Sequence, residues 1–368
     1  MSSVPPQTAP EALIADYFER LLEAFEQAAN ASGGALAFDA SVANRQLAVR
    51  YSGAGLGRVF TPALAHLGES PASALCGPAL RIYCWETELS GVPLPPPPWH
   101  WPDSGEAQQH VVLPASAQRF RLHVTREYEE LTLYDTATLR AVVWARDANK
   151  LPAYYHAAPF LKVFGWWGDG EGLHLVHAAC VGEAGTGLLL AGRGGSGKST
   201  TSLLGLMAGM QFVSDDYCLL ESPATTAPTA HCLFSSGKLL RSHLENFPRL
   251  ARVAVSPPED GFDKKVIYAH EHFPDQVSPR LRIGAIVLPR VAHLEQCAVT
   301  PASFADALKA LAPSTLFQLR ATDSRSFRAM AALTRKVPCR HLELGRDFAE
   351  IPHCLRSILT SLLKESQL

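Results

Sequence analysis

The chain has 368 residues, 47% of them hydrophobic, and its 33 basic and 35 acidic residues leave a formal net charge of -2 at pH 7. That apolar content suffices for two cores, and the balanced charge supplies no basic stripe for a nucleic-acid backbone, so nucleic acid is not expected as a partner. No apolar run is long enough for a membrane-spanning helix, and the opening MSSVPPQTAPEA lacks the basic and apolar regions of a secretion signal; a cytoplasmic chain without membrane contact is expected.

The first predicted element is a helix over Ala9 to Asn30, where Ile14, Phe18, Leu21, Leu22, Phe25 and Ala28 recur at helical spacing and Thr8 with Glu11 forms a capping box. Gly33-Gly34 ends it. Strands are expected at Ala35 to Phe38, Gln46 to Tyr51, Leu80 to Trp85, Phe120 to Thr125, Leu131 to Tyr134 and Ala141 to Trp144. Residues 1–150 therefore read as a β-rich N-terminal module for substrate recognition or for oligomerisation of identical chains. Within it, PLPPPPWHWPDSG (Pro93 to Gly105) excludes a helix or central strand and reads as a rigid loop or linker, with an SH3-type ligand as the alternative.

Residues 151–368 change character to α/β. A helical stretch leads from Leu151 to Trp166-Trp167, whose rings are expected to pack, with a grip on a peptide as the alternative. Two apolar runs, Leu173 to Val181 and Gly187 to Ala191, flank a turn and read as a hairpin. A glycine-rich segment, a helix over Lys198 to Ala208, strands at Phe212 to Ser214 and Arg282 to Leu288, and helices at Pro301 to Leu311, Ser324 to Thr334 and Phe348 to Leu363 follow. Eight cysteines show no C-x-x-C spacing, which points to reduced, mostly buried thiols; His270-Glu271-His272 reads as surface residues on a strand.

Chemistry concentrates in Gly192-Arg193-Gly194-Gly195-Ser196-Gly197-Lys198-Ser199, a full match to G-x-x-x-x-G-K-[ST], continuing into Thr200. In this phosphate-loop pattern backbone N–H groups cradle phosphate, the lysine reaches the β- and γ-phosphates, and the Ser199 hydroxyl is offered to Mg²⁺. Asp215-Asp216 follow, seventeen and eighteen residues after Lys198, at the end of a short apolar strand. One carboxylate suits metal binding and the other suits accepting a proton from an attacking hydroxyl. His177, twenty-one residues before Lys198, is placed by the hairpin where it meets the Asp pair, or else is a core histidine. Lys264, Lys265, Arg282 and Arg290 are candidate cations for a transferring phosphoryl group, with Lys265 and Arg290 the preferred pair.

A histidine in a small-residue strand, then a GKS-containing loop, then V-S-D-D resembles the catalytic domain of HPr kinase/phosphorylase, whose fold is akin to phosphoenolpyruvate carboxykinase. The likeness runs from about Leu173 to Leu220, and similar features of the broader HPr-kinase-related group extend through Leu288 to Val291 and Ala312 to Leu319. That group includes serine kinases associated with ribosomally made peptides such as lasso peptides. The resemblance implies an α/β phosphate-loop kinase core binding ATP and Mg²⁺ through Lys198 and Ser199. It also implies Asp215 on the metal side, Asp216 as general base and His177 as its neighbour. The signature resembling LEIRGLG is absent after the Asp pair, so recognition of HPr itself and the reverse phosphorolysis are not implied.

The function expected is transfer of the ATP γ-phosphoryl group to a hydroxyl, with the serine of a peptide or small protein as acceptor. A small-molecule hydroxyl kinase, or a non-catalytic nucleotide-binding regulatory module, are the alternatives.

Overall fold

The computed structural model describes residues 11–69, 76–99, 119–125, 127–223, 225–256, 264–292, 294–319 and 324–365. These form a mixed α/β molecule with three sheets and two compact units. One unit takes in the described residues up to Pro62 and those from Gly68 to Trp167; the other takes in Ala63–Leu67 and the described residues from Gly168 onward. The expected boundary at 150/151 thus falls inside the first unit.

In the first unit, helix α1 (Glu11–Ala31) is followed by β1 (Ala35–Val42), β2 (Arg45–Ser52), α2 (Ala54–Leu64), β3 (Cys76–Glu86), α3 (Thr87–Ser90), β4 (Phe120–Thr125), β5 (Glu130–Asp135), β6 (Arg140–Ala145), α4 (Ala153–Ala157) and α5 (Leu161–Glu171). The strands form one sheet in the order β1-β2-β3-β6-β5-β4. All six expected strands are present. Thr8, half of the expected capping box, lies outside the described residues, as do residues 100–105 of the proline-rich segment.

The buried stripe of α1, including Ile14, Phe18, Leu21 and Phe25, packs with Trp85, Leu131, Leu133, Val142 and Trp144 of the sheet. The prolines before residue 100 lie along this helix, Tyr17 and Arg20 donating to the carbonyls of Pro95 and Pro96 at 3.0 and 2.9 Å. Helix α2 was not expected, because AGLGRVFTPAL carries two glycines and Pro62. It supplies the crossover that the parallel pairing of β2 with β3 requires.

The second unit runs β7 (Leu173–Val176), β8 (Ala179–Glu183), β9 (Thr186–Leu190), α6 (Lys198–Met207), β10 (Gln211–Ser214), β11 (Cys218–Glu221), β12 (Thr229–Cys232), β13 (Ser236–Leu240), α7 (Arg241–Leu244), α8 (Pro248–Ala251), β14 (Lys264–Tyr268), α9 (Ala269–His272), β15 (Arg280–Val291), β16 (Ala298–Ala302), α10 (Phe304–Leu319), α11 (Ser324–Lys336), β17 (Cys339–Leu344) and α12 (Glu350–Glu365). Its main sheet is ordered β10-β8-β9-β15-β12-β11-β7, with β17 also on β15 and β16 on β17; β13 and β14 pair separately.

Alternation assigns the two faces of that sheet. Leu188 and Leu190 enter a core with α6 and α12, while Leu189 and Ala191 enter one with α10 and α11. Ala184 and Gly185, with φ of 47° and 78°, make the left-handed turn that closes the β8–β9 hairpin. His270-Glu271-His272 lies in the short helix α9 and not on a strand, and the predicted helix start at Pro301 belongs to β16.

The apolar run Leu173 to Val181 is two strands rather than one. It breaks at His177-Ala178, and β7 pairs with β11 while β8 pairs with β9 and β10. Three peptide steps cannot span more than about 11 Å, so the main sheet curls until its two ends approach.

Candidate functional site

Strands β9, β15 and β17 are mutually parallel where they pair, and their carboxyl ends meet the glycine-rich segment, the position where open α/β sheets hold ligands. Ala191 N donates to Val287 O at 2.9 Å, fixing where the segment leaves the sheet. Gly195 and Gly197 take φ of +79° and +97°, which residues with a side chain rarely adopt. A Cβ on Gly197 would also run into Leu344 Cδ1. Gly194 and Gly195 are exposed, with nothing within 4 Å of a Cβ added to either. The segment therefore rests on Leu344 while its tip stays open.

Helix α6 starts at Lys198, and the N–H groups of its first turn have no acceptor within the helix. The Lys198 ammonium folds back to the carbonyls of Gly192 (2.7 Å) and Arg193 (3.2 Å). Ser199 is half-buried and Thr200 buried; Arg193 is exposed.

The second half of the site comes from two chain crossings. Strand β8 neighbours β10 and β7 neighbours β11, so the β7–β8 link and the β10–β11 link run side by side, bracketed by the pairs Val176↔Cys218 and Cys180↔Ser214. The first link carries His177 and the second carries Asp215 and Asp216. His177 Nε2 lies 2.6 Å from Asp216 Oδ1. Its backbone N donates to Thr315 Oγ1 at 3.1 Å.

Asp215 points the other way, into α6. Its Oδ1 accepts from Ser202 Oγ at 2.6 Å, a hydroxyl that also lies 3.1 Å from Ser199 O, and its Oδ2 accepts from Lys238 N at 2.9 Å. Lys238, on β13, also places its ammonium 2.6 Å from Asp216 Oδ2. One residue thus holds both carboxylates. No motif marks it in SSGKLL; only its position at the middle of a short alternating strand, preceded by a glycine, could have drawn attention. Gly237 allows the approach, since a Cβ there would sit 2.7 Å from Leu203 Cδ2.

These contacts separate the two acids. Burial opposes ionisation of Asp216, but the Lys238 ammonium and the His177 ring outweigh it and hold the carboxyl well below the usual range. Burial, reinforced by the Asp216 charge, raises Asp215 against the hydrogen bonds from Ser202 and Lys238. Burial lowers Lys198 against the pull of both acids. Two buried atoms here, His177 Nδ1 and Ser196 Oγ, have no hydrogen-bond partner, and such groups ordinarily have one.

Of the other predicted cations, Lys264 is exposed on the same face of its strand pair as Lys238 and near enough to act on the Lys198 charge, whereas the remaining three stand apart. Arg290 pairs with Glu343 of β17 and is exposed. Lys265 contacts Ser256. It lies opposite Leu239 on β13, so strand alternation turns it to the face away from Lys238 and Lys264. Arg282 pairs with Thr186 at the start of β9, the end of the strand remote from the glycine-rich segment. Trp166 stacks on Tyr134 of the first unit's sheet at 6.4 Å, and Trp167 is buried beside Phe164.

The oxygen donors at this place, the Ser199 hydroxyl and the two carboxylates, are the kind magnesium takes alongside substrate phosphates. Among the described residues no group of three or more His, Cys, Asp or Glu side chains is arranged to hold a metal ion unaided, and no helix is long and apolar enough to cross a membrane.

No family model matches the chain, and no curated protein matches it. Among solved structures, the HPr(Ser) kinase/phosphatase from Coxiella burnetii aligns over 53% of this chain and 99% of its own, at 13% identity and a TM-score of 0.29. That is a distant structural likeness.

Proposed function

We propose that the chain is an ATP-dependent phosphotransferase that moves the γ-phosphoryl group to a hydroxyl. What carries this reading is the joining of the two half-sites: Asp215 is tied through Ser202 to the first turn of α6, directly behind Ser199, while Asp216 stands beside it between His177 and Lys238. The open glycine tip and the α6 amides suit phosphate, and the unpartnered Ser196 hydroxyl suits a phosphate oxygen.

In this reading Lys198 leaves its carbonyl partners for the β- and γ-phosphates, and Ser199 with Asp215, whose oxygens now accept from Ser202 and Lys238 N, would hold Mg²⁺, which would offset phosphate charge. Asp216 orients the acceptor hydroxyl and takes its proton, and His177 fixes the rotamer of Asp216. Both Asp216 oxygens are engaged in the arrangement described, so proton transfer requires one partner to let go. Lys238, on a flexible stem, is that partner, turning to the phosphoryl group as charge develops on it. Lys265 and Arg290, expected to assist, have partners of their own and would have to leave them.

The acceptor proposed is a serine of a peptide or small protein, with the first unit serving recognition or self-association. Incubation with γ-labelled ATP and candidate hydroxyl acceptors, peptide and metabolite, tests the reading. Label should pass to an acceptor and be lost on Asp216→Asn with ATP still bound, while Lys198→Ala should weaken nucleotide binding. Label on no acceptor, with ATP bound, would leave a regulatory nucleotide-binding module; full transfer by Asp216→Asn would remove the base assignment.

A further inference from the structure

Of the seven cysteines whose side chains the structure describes, all free, five are buried, and the two that are partly exposed, Cys297 and Cys354, are neighbours. Cys297 precedes β16 and Cys354 lies on α12. Their proximity follows from the backbone. Cys297 N donates to Glu350 Oε2 at 2.9 Å, and Cys354 stands one helical turn beyond Glu350 on the same face of α12. Both side chains pack against the core shared by α6 and α12, and the Cys297 sulfur lies close enough to Cys354 to act on its thiol. Burial and the Cys297 sulfur push the Cys354 thiol up to about 11, so Cys354 stays protonated at neutral pH; Cys297, whose sulfur accepts a hydrogen bond from Gly345 N, is taken as the attacking sulfur.

The pair is also connected to the glycine-rich segment. Gly345 N donates to Cys297 Sγ at 3.4 Å. The backbone of residues 296–297 presses so closely on Gly345 that an added Cβ would sit 2.7 Å from Gln296 C. The residue before Gly345 is Leu344, the side chain on which Gly197 rests. A change in where Cys297 sits is passed through one residue to the floor beneath the start of α6.

We propose that Cys297 and Cys354 form a redox-sensitive dithiol, oxidised by a hydroperoxide to a disulfide that shifts Leu344 and loosens the nucleotide segment. The Cys297 sulfur attacks the peroxide oxygen, giving a sulfenic acid and releasing the alcohol or water. The Cys354 sulfur then displaces hydroxide from that sulfenic sulfur, and the second water leaves. Two thiols lose one electron each, and the O–O bond gains both. Regulation of phosphoryl transfer by this pair rests on the kinase reading, whereas the cross-link and its effect on the segment do not.

The test treats the full chain with hydrogen peroxide, alkylates the remaining thiols, and maps the peptides by mass. A Cys297–Cys354 cross-link is expected. Amide exchange across residues 192–199 should quicken and ATP affinity should fall by about fivefold, both reversed by dithiothreitol and both absent from Cys354→Ser and Cys297→Ser. A cross-link through any other cysteine, or none, overturns the proposal, and so does this cross-link with exchange unchanged. Should the reduced chain bind no ATP, the kinase reading fails, while mapping and exchange still decide for or against the dithiol.

Discussion

Glu130 of the first unit and Asp216 of the second are two carboxyls kept in opposite states, the one buried and the other half-buried. Glu130 of the first unit receives hydroxyls, from Thr132 and from Tyr155 at 3.1 Å. Burial pushes its carboxyl up to about 7, which those hydrogen bonds and the Lys162 charge only partly oppose. Asp216 receives a lysine ammonium and a histidine ring, each at 2.6 Å, and stays ionised. Burial opposes ionisation at both, and at Asp216 the charge of the donors overcomes it. Neutral donors make a structural acid that prefers its proton, and cationic ones make a carboxylate ready for chemistry.

The largest test of this contrast is Asp216→Asn, which keeps the shape and removes the charge. Transfer should fall by about a thousandfold, the scale of a lost general base, with ATP affinity nearly unchanged in a direct binding measurement. A Glu130→Gln chain should transfer phosphate normally. Equal losses in the two variants would break the comparison.

Lys238→Met removes the cation and keeps the stem. Transfer should drop by about 10–100-fold, mostly in kcat, because Lys238 acts on charge that develops during the reaction. A loss confined to KM would reassign Lys238 to nucleotide binding alone.

A smaller effect separates the units by pH. The Glu130 carboxyl, at 4.5 when exposed and about 7 when folded, holds its proton longer in the folded state. Its contribution is full below pH 4.5 and is lost as pH rises through 7, about 3 kcal/mol in all. Burial, with the His270 charge, instead lowers His66 of the second unit to about 3, so its contribution is present above 6.5 and is lost as pH falls through 3. All six tryptophans fall within residues 85–167, so their emission follows unfolding of the first unit. Its urea midpoint should decline from pH 4.5 to 7, and Glu130→Gln should flatten that decline. A parent chain with no decline would show that Glu130 ionises freely.

Much of this was readable in the residues, but unevenly. The six strands and long helix of the first unit follow from alternation and helical spacing. The β9 strand, glycine segment and α6 follow from an apolar run, four glycines and a lysine in fixed order. The break at His177 was hidden, because Leu173 to Val181 reads as one largely apolar run, His174 and His177 apart, and nothing local distinguishes a strand bonded to β9 from one bonded to β11. Lys238 was hidden for a related reason: what matters is the strand pairing that brings β13 to the aspartates, a long-range fact absent from SSGKLL. Lys265 and Arg290 look like free cations in sequence, and only the fold supplies Ser256 and Glu343 as their partners.

The side-by-side crossings also decide which parts of the site are able to move. His177 occupies the first position of a two-residue bridge, with a hydrogen-bonded ladder gripping the chain on either side and Thr315 anchoring its amide. Its backbone is held as firmly as the sheet itself. Whatever adjustment a turnover demands must come from the lysine stems that reach in from elsewhere, so the histidine serves as the fixed datum against which the travelling charges are aligned.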